Sequence, residues 1–568
     1  MNWLEKTRII AHVLHWRLTW SRYAPDYLPE GVTAGKFLTA RQAAQRIPDQ
    51  ACVFSSGIAG NARCTPFYLA IRERFQREGH PRNLTWVNAG AQGSRGRVPG
   101  TVEELGLPGL LKLYLAGHLE TARAQLQLAA SGQLEVHTLP QGVIALLLEQ
   151  FAAGRRELCT GVGAGTFLDP RCGRGSIVNP PASTSFVRAE GAGLCYTMPR
   201  PDVALFSAPY ADREGNIYFH DAATITENLP SLRAVKRLGG RAMVTVSGLI
   251  PTDPDRVSVP ASEVDHIVVN PYNEQTASVP QRAFWPVFTP QAEEEPAAAM
   301  DRLGFINDLL GITPRRDAVN RLMSRIAASL FREHVPPDSL VNIGVGLPEE
   351  VVRLLLHYGL AQQYTFTTEA GSFGGLPAPG VFFGAAIRPQ HLESSSTMFE
   401  RYRQGLEAAV LGFLELDAAG NVNASRRSEE VSNYVGPGGF PDISYYARTL
   451  IFIGSWMKKG RLRLNNGRVV VERAGEPKCV DRLKEVTFRA RPAWEAGKKV
   501  FYITDLGLFT LGKEGLQLAL RYPGIDIGRD MLAHASAALD LGQAEEVPTL
   551  DRDWVNGEGL LNRGFAYS

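Results

Sequence analysis

Two similar open α/β domains in one chain are predicted by three observations on this 568-residue sequence. Short apolar, β-branched runs end in glycine turns and are followed by amphipathic helices, the order that open α/β sheets require. Pro280 to Ala299 is the sharpest change in composition, rich in proline and then acidic at Glu293-Glu-Glu295-Pro296. Short strings recur in the same order on both sides of that break. We therefore place an N-terminal domain at 1–290, a linker at 291–300 and a C-terminal domain at 301–568.

In chain order, the first fifty residues are mixed: a Trp- and Arg-rich piece, His15 to Trp20, precedes a helical pattern from Leu38 to Ile47. Ala51 to Phe54 reads as a strand entering the turn Ser55 to Gly60, and Pro66 opens an amphipathic helix through Phe75. Leu84 to Asn88 is a second strand. Val102 to Gly132 carries a helical leucine pattern, interrupted at Gly117-His118. Leu134 to Leu139 is strand-like, Pro140-Gln141-Gly142 turns, and Val143 to Ala152 is an apolar helix. The glycines of Cys159 to Gly165 invite a dinucleotide reading, but Asp169-Pro170 stands where the helix should begin, so that reading fails. Val203 to Ala208, Ala242 to Val246 and Ile267 to Asn270 complete the strands of this half, with a hairpin turn at Asp212 to Asn216.

Past the break, Asp317 to Glu333 is helical and Leu340 to Ile343 is a strand ending in Gly344-Val-Gly346. Glu349 to Tyr358 is the helix that follows, closed by Gly359. Next comes Tyr364-Thr-Phe-Thr-Thr-Glu369-Ala-Gly-Ser-Phe-Gly-Gly375, an alternating strand that stops at a carboxylate followed by glycines. The carboxyl end of a strand borders the ligand crevice of an open sheet. Glycines there leave backbone N–H groups uncovered beside a reactive group. Glu369 is accordingly the candidate nucleophile, set against the plainer alternative of a solvent-facing Glu in a glycine turn.

Composition narrows the partners. The formal charge of +2 is nearly balanced and the cations are scattered, which disfavours nucleic acid and anionic membranes. Six cysteines at irregular spacing show neither a CxxC pair nor a disulfide-dense region, and fit a reducing compartment. No apolar run approaches a membrane span, and the N-terminus lacks a signal-peptide pattern, so a soluble cytoplasmic protein is expected. His12 and His15 have no third ligand nearby, and no metal is expected.

The two halves follow one plan. Ser56 to Gly60 pairs with Ile343 to Gly346, Val87-Asn88-Ala-Gly90 with Thr368-Glu369-Ala-Gly371, and Asp212 to Asn216 with Asp417 to Asn421. Asn88 then stands where the second half carries Glu369. A competing pairing sets Gly163 to Phe167 against Glu369 to Phe373. Under either one, the carboxylate belongs to the second copy alone, which predicts one reactive site per chain.

Glu369-Ala-Gly-x-x-Gly-Gly375, Val422 to Ser425 and Gly436-Pro-Gly438-Gly439-Phe-Pro-Asp442 together resemble the family I coenzyme A transferases, in the branch that fuses both halves into one chain. Leu139 to Val143, Gly163 to Arg171 and Leu416 to Ser425 follow the family's order too, so the resemblance spans residues 50 to 510. It implies an α/β fold, no bound cofactor, coenzyme A as acyl-CoA co-substrate, a small carboxylic acid as second substrate and a homodimer or homotetramer. It implies that Glu369 forms a glutamyl-CoA thioester, that Gly344, Gly346, Gly436, Gly438 and Gly439 contact CoA, and that Gly438 or Gly439 supplies an oxyanion N–H. Asn88, Gln141 and Phe373 are the candidates on the substrate side. An acyl-CoA hydrolase of the same family and a ligand sensor on the same scaffold are the alternatives. The sequence departs from the family at Gly454 to Gly460, where Trp456, Lys458 and Lys459 replace an expected glycine-rich segment.

Overall fold

The structure is a computed structural model that describes residues 1–58, 61–94, 98–179, 184–272, 285–311, 313–541, 547–551, 554–555 and 557. In the first half, the sheet strands are β1 (Cys52–Ser55), β2 (Leu84–Asn88), β3 (Leu111–Ala116), β4 (Glu135–His137), β5 (Val203–Ala211), β6 (Ile217–Tyr218), β7 (Arg241–Leu249) and β8 (His266–Val269). Their order is β8-β7-β5-β1-β2-β3-β4, all parallel, with β6 antiparallel on β5. Such strands are covered on both faces, so they read as unbroken apolar runs: all nine residues of β5 except Tyr210 are buried.

The second half contributes β9 (Leu340–Ile343), β10 (Thr365–Thr367), β11 (Ser372–Phe373), β12 (His391–Leu392), β13 (Ala408–Gly412), β14 (Thr449–Ile453), β15 (Lys499–Ile503), β16 (Gly507–Gly512) and β17 (Gly515–Arg521). The sheet runs β12-β11-β10-β9-β13-β14-β15-β16-β17. Its core, β10-β9-β13-β14-β15, is parallel and repeats β2-β1-β5-β7-β8 strand for strand. In both halves the chain reverses direction across the sheet at the first strand, β1 or β9, the kind of switch point beside which open α/β sheets bind their ligands.

The hairpins at Asp212 and Asp417 anchor the repeat. In each, the aspartate oxygen accepts the asparagine N–H four residues on at 2.8 Å. Setting these turns equal places Leu205 against Val410, and the ladders then place Ser55 against Ile343 and Val87 against Thr367. Ala89 therefore occupies the position of Glu369, one residue beyond the expected Asn88. The competing pairing has no topological match, because Gly163 to Phe167 follows the strand Leu158–Thr160 of a separate three-stranded sheet.

Three expectations are corrected. Val102 to Gly132 is not one helical stretch: it holds a short turn of helix, the strand β3 and a helix from Arg123 to Ala130. Leu111-Lys-Leu-Tyr-Leu-Ala116 lies between two parallel neighbours, where periodicity does not distinguish a buried strand from a helix. The mixed N-terminus forms a helix, Trp3–Thr19, started by a reciprocal cap between Asn2 and Glu5. Cys159 and Cys195, register partners in that three-stranded sheet, are joined by a disulfide that their separation of 36 residues does not advertise. The expected linker is itself partly helical, since a helix runs from Pro296 to Leu310; residues 280–284 of the compositional break lie outside the described residues. Among the described residues, no helix is long and apolar enough to cross a membrane.

The halves are tied together by buried polar contacts. Arg174 of the first half reaches Glu485 of the second at 2.6 Å, and the Phe167 N–H donates to the Val486 carbonyl. Asp169 and Arg171 orient that loop, with Asp169 also accepting the Gly165 N–H at 2.8 Å. Helix Ser395–Gly405 of the second half packs on helix Gln141–Ala152 of the first.

Candidate active site

Strand β10 ends at Thr367, and the chain reverses at once to pair Thr367 with Phe373 on β11. Glu369 and Ala370 are the central residues of the turn between them, closed by the Gly371 N–H donating to the Thr368 carbonyl at 3.0 Å. Gly371 takes φ +101°, and a Cβ there would lie 1.8 Å from the Glu393 carbonyl oxygen, so no other residue fits. The Thr368 hydroxyl donates to the Gly384 carbonyl at 2.8 Å and fixes the base of the turn. Glu369 is thereby held on a rigid hairpin at the carboxyl edge of the sheet, partly open to solvent.

The side chain of Glu369 faces Gly439. A Cβ added to Gly439 would lie 3.2 Å from the Glu369 Cγ and 3.4 Å from its Oε1. From below, Asn342 on β9 faces the Glu369 carboxylate and favours its charged form, and its amide nitrogen donates to the Tyr402 hydroxyl at 3.1 Å. The Tyr402 hydroxyl also bonds the Thr367 hydroxyl at 3.0 Å. Burial pushes the Glu369 pKa above the ordinary glutamate value, opposed by its own backbone N–H and by Asn342.

The first half closes over this edge. The Gly438 N–H donates to the Gly117 carbonyl at 2.8 Å, and the Gln141 N–H donates to the Gly438 carbonyl at 2.9 Å. A Cβ on Gly436 would lie 2.9 Å from that same Gly117 oxygen. Gln141 starts helix Gln141–Ala152 and is buried, and its Nε2 has no hydrogen-bond partner among the described residues. Asp442 reaches across to the start of that helix and accepts the Gly142 N–H at 3.1 Å. On the other flank, the Thr226 N–H donates to the Ala370 carbonyl at 3.2 Å. The neighbouring Glu227 carboxylate accepts the Ser395 hydroxyl at 2.8 Å and the Gly57 N–H at 3.3 Å.

The sequence candidates therefore separate into groups. Glu369, Gly439, Gly438 and Gln141 come together. Gly438 is corrected as an oxyanion donor, because its N–H is already bonded to Gly117, whereas the Gly439 N–H has no acceptor among the described residues. Gly436 likewise donates to the Ser425 carbonyl, and Gly344 to the Val410 carbonyl. Gly346 turns at φ +96° with its N–H bonded to the Glu349 carboxylate at 2.9 Å. Asn88 points its amide to the Gly90 carbonyl inside the first sheet, away from the role expected of it. Phe373 stacks on His391 at 4.5 Å and lies under Arg401 at 4.8 Å, so its ring is committed to that stack. Lys458 and Lys459 pair with Glu476 on the surface. Trp456 is buried against Phe509 at 5.1 Å, so the departure at Gly454 to Gly460 is a core change at Trp456 and a surface change at the two lysines.

Sequence reasoning missed Asn342, Tyr402, Glu227 and the role of Asp442. Asp442 stands inside the quoted Gly-Gly-Phe-Pro-Asp string, but nothing local shows that it caps a helix of the other half. Burial first, then the charge of Glu369, raises its pKa to about 8, against the Gly142 and Val143 N–H groups. An acid whose pKa is higher in the folded chain holds its proton there while the unfolded chain has lost it. The folded state then weakens as pH rises from the ordinary aspartate value through about 8. Asp442→Asn keeps an acceptor oxygen without the titration. Its thermal melts are expected to lose, relative to the unchanged chain, a pH-dependent decline of on the order of a few kcal/mol across that window; parallel melting curves for the two proteins would contradict this.

Comparison with known proteins converges on the same residues' family. The family model described as "Coenzyme A transferase" matches residues 38–270. The chain is 32% identical over 514 residues to the caffeate CoA-transferase of Acetobacterium woodii, an alignment covering 88% of this chain and 93% of that one. It is 28% identical over 510 residues to the acetate CoA-transferase YdiF of Escherichia coli K12, covering 87% and 91%. The solved thioester complex with CoA of the Escherichia coli O157:H7 acyl-CoA transferase YdiF superposes with TM-score 0.79 at 25% identity, over 94% of this chain and 97% of that one. The chain belongs to the family I coenzyme A transferases, in their single-chain form, and is an acyl-CoA:carboxylate CoA-transferase.

Proposed function

We propose that Glu369 carries CoA between two acids as a glutamyl thioester, and that the acids are small monocarboxylates. The observation that carries this reading is the placement of Glu369 on a rigid turn at the carboxyl edge of the sheet, with its carboxylate against Gly439. One carboxylate oxygen attacks the thioester carbonyl of acyl-CoA, the C–S bond breaks, and CoA leaves as thiolate. The acyl group now forms a mixed anhydride with Glu369. The thiolate attacks the glutamyl carbonyl, the C–O bond breaks, and the first acid departs as carboxylate. A second carboxylate retraces these steps in reverse, so protons and charge balance without a general base, and the kinetics are ping-pong.

Each step passes through a tetrahedral oxyanion. The Gly439 N–H and the Gln141 Nε2, both without acceptors among the described residues, are the groups we assign to it. Monocarboxylates follow from the two relatives, whose names specify caffeate and acetate, and which this chain covers over nearly their whole length.

The test is to incubate the protein with acyl-CoA, reduce with borohydride and locate the changed residue by peptide mass. Modification at 369 is expected. A label elsewhere, or none under turnover, would sink the reading, and release of free acid without an acceptor would replace transfer by hydrolysis. Since only the carboxylate attacks and burial raises its pKa, kcat/KM is expected to fall on an acid limb lying above the ordinary glutamate range. A limb at the ordinary value would argue against Glu369 as the titrating nucleophile.

A further inference from the structure

The first eighteen residues hold six of the thirteen large apolar side chains that stand exposed among the described residues, so the exposure forms a patch and not the scatter normal to a protein surface. Five of the six lie on helix Trp3–Thr19. At about 100° per residue, Trp3, Leu4, Ile10, Ala11, Leu14 and Leu18 fall in one arc of roughly 120°, a stripe about 22 Å long. Trp3 and Leu18, at its two ends, are 75% and 78% exposed. The helix cannot roll this stripe inward, because its opposite face is already occupied. Val13 and Trp16 are buried there, and Trp16 lies 5.7 Å from Trp285 in the core and donates its indole N–H to His12 at 3.0 Å.

Positive charge borders the stripe on both sides. Lys6 and Arg17 follow one edge, Arg8 and His15 the other. Lys6 lies over the Phe305 ring at 5.8 Å and Arg17 over the Trp20 ring at 4.9 Å, and among the described residues neither of them nor Arg8 pairs with a carboxylate. The one acid of the helix, Glu5, falls outside both edges, and its carboxylate accepts the Asn2 N–H at 2.9 Å. The whole-chain charge of +2 hides this local excess, because acids elsewhere balance it.

We propose that helix Trp3–Thr19 docks the protein on an anionic lipid bilayer, with the stripe in the headgroup boundary and the cations against the lipid phosphates. Charge complementarity names the occupant. A second copy of the helix would set cations against cations whichever way it ran, since neither edge of the stripe carries an acid. The shape agrees, because the stripe is a ridge. Apolar grooves are what capture peptide helices, whereas a bilayer opens around a protruding apolar edge while Lys and Arg side chains reach back to the phosphates.

The full-length protein is tested by sedimentation with vesicles of phosphatidylcholine alone and of phosphatidylcholine and phosphatidylglycerol in equal parts. It is expected to bind the mixed vesicles and not the neutral ones, and to be released as salt rises from roughly 0.05 to 0.5 M. Trp3→Ser/Leu18→Ser is expected to bind roughly a hundredfold more weakly, about tenfold for each side chain withdrawn from the lipid. Arg8→Glu/Arg17→Glu should lose binding even at low salt, while Val470→Ser, which removes an exposed apolar side chain from another hairpin, should bind as the parent does. Every variant is expected to transfer CoA in solution at the parent's rate, which separates loss of docking from loss of the fold. No binding to the mixed vesicles, equal binding to the neutral ones, or equal binding by the parent and Trp3→Ser/Leu18→Ser would each overturn the proposal. So would light scattering without lipid that shows a smaller particle for Trp3→Ser/Leu18→Ser than for the parent, because the stripe would then belong to a contact between protein chains.

Discussion

Glu369→Ala is expected to lower CoA transfer by on the order of 10⁴–10⁶-fold, the scale set by removing an enzyme's covalent nucleophile. Alanine leaves no carrier for CoA between the two half-reactions, so the loss falls on kcat and kcat/KM together, while acyl-CoA still binds. The backbone gives no reason for the turn to collapse. Its closing bond, the Thr368 hydroxyl bond to Gly384 and the Thr226 bond to Ala370 involve no atom of the Glu369 side chain. Burial that raises the pKa of Glu369 also means that its charge destabilises the fold, so the variant should melt no lower than the parent. The measurement pairs a transfer assay with a melt and with borohydride trapping. Transfer within about tenfold of the parent in a well-folded variant, a loss far short of any nucleophile's, would remove Glu369 from the mechanism.

Much of the fold was legible because parallel, doubly covered strands leave a direct trace. Leu84 to Asn88 matches its strand residue for residue, and Val203, Ala242 and Ile267 begin or lie in strands of the expected order. The turn at Glu369 was legible for a local reason as well, since Gly371 and Gly375 stand at positive φ where only glycine is easy. What the sequence does not carry is contact between distant segments. Leu111 to Ala116 could not be told from a helix until its neighbours were known. Gly438 looked like an oxyanion donor until Gly117, more than 300 residues earlier, was found taking its N–H. Asn342, Tyr402 and Glu227 bear no motif, and each acquires its role by facing a segment from elsewhere in the chain. Asn88 shows the complementary error: a string match one residue out of register moves a side chain to the opposite face of the sheet.

Gly439 offers the sharpest probe of how closely the nucleophile is fitted. It sits at φ −82°, a region open to any residue, and begins helix Phe440–Tyr446. Gly439→Ala therefore costs little in backbone strain, about 1 kcal/mol or less from the weaker cap. Its methyl group, however, would press on Glu369 Cγ at 3.2 Å and Oε1 at 3.4 Å, and the carboxylate must move. The carboxylate must give by a few tenths of an ångström, short of the full ångström worth about 10²-fold in rate, so kcat should fall by roughly tenfold with the melting temperature nearly unchanged. Crowding makes a further claim that general damage does not. Glu369→Asp withdraws the carboxylate from Gly439, and in the Gly439→Ala background the shorter side chain escapes the methyl group. The double variant should accordingly retain more activity than the product of the two single losses, a coupling that a double-mutant cycle measures directly. Strictly multiplicative losses would mean that Gly439 does not act through contact with Glu369, and that its N–H alone, not the space it leaves, is what the site needs.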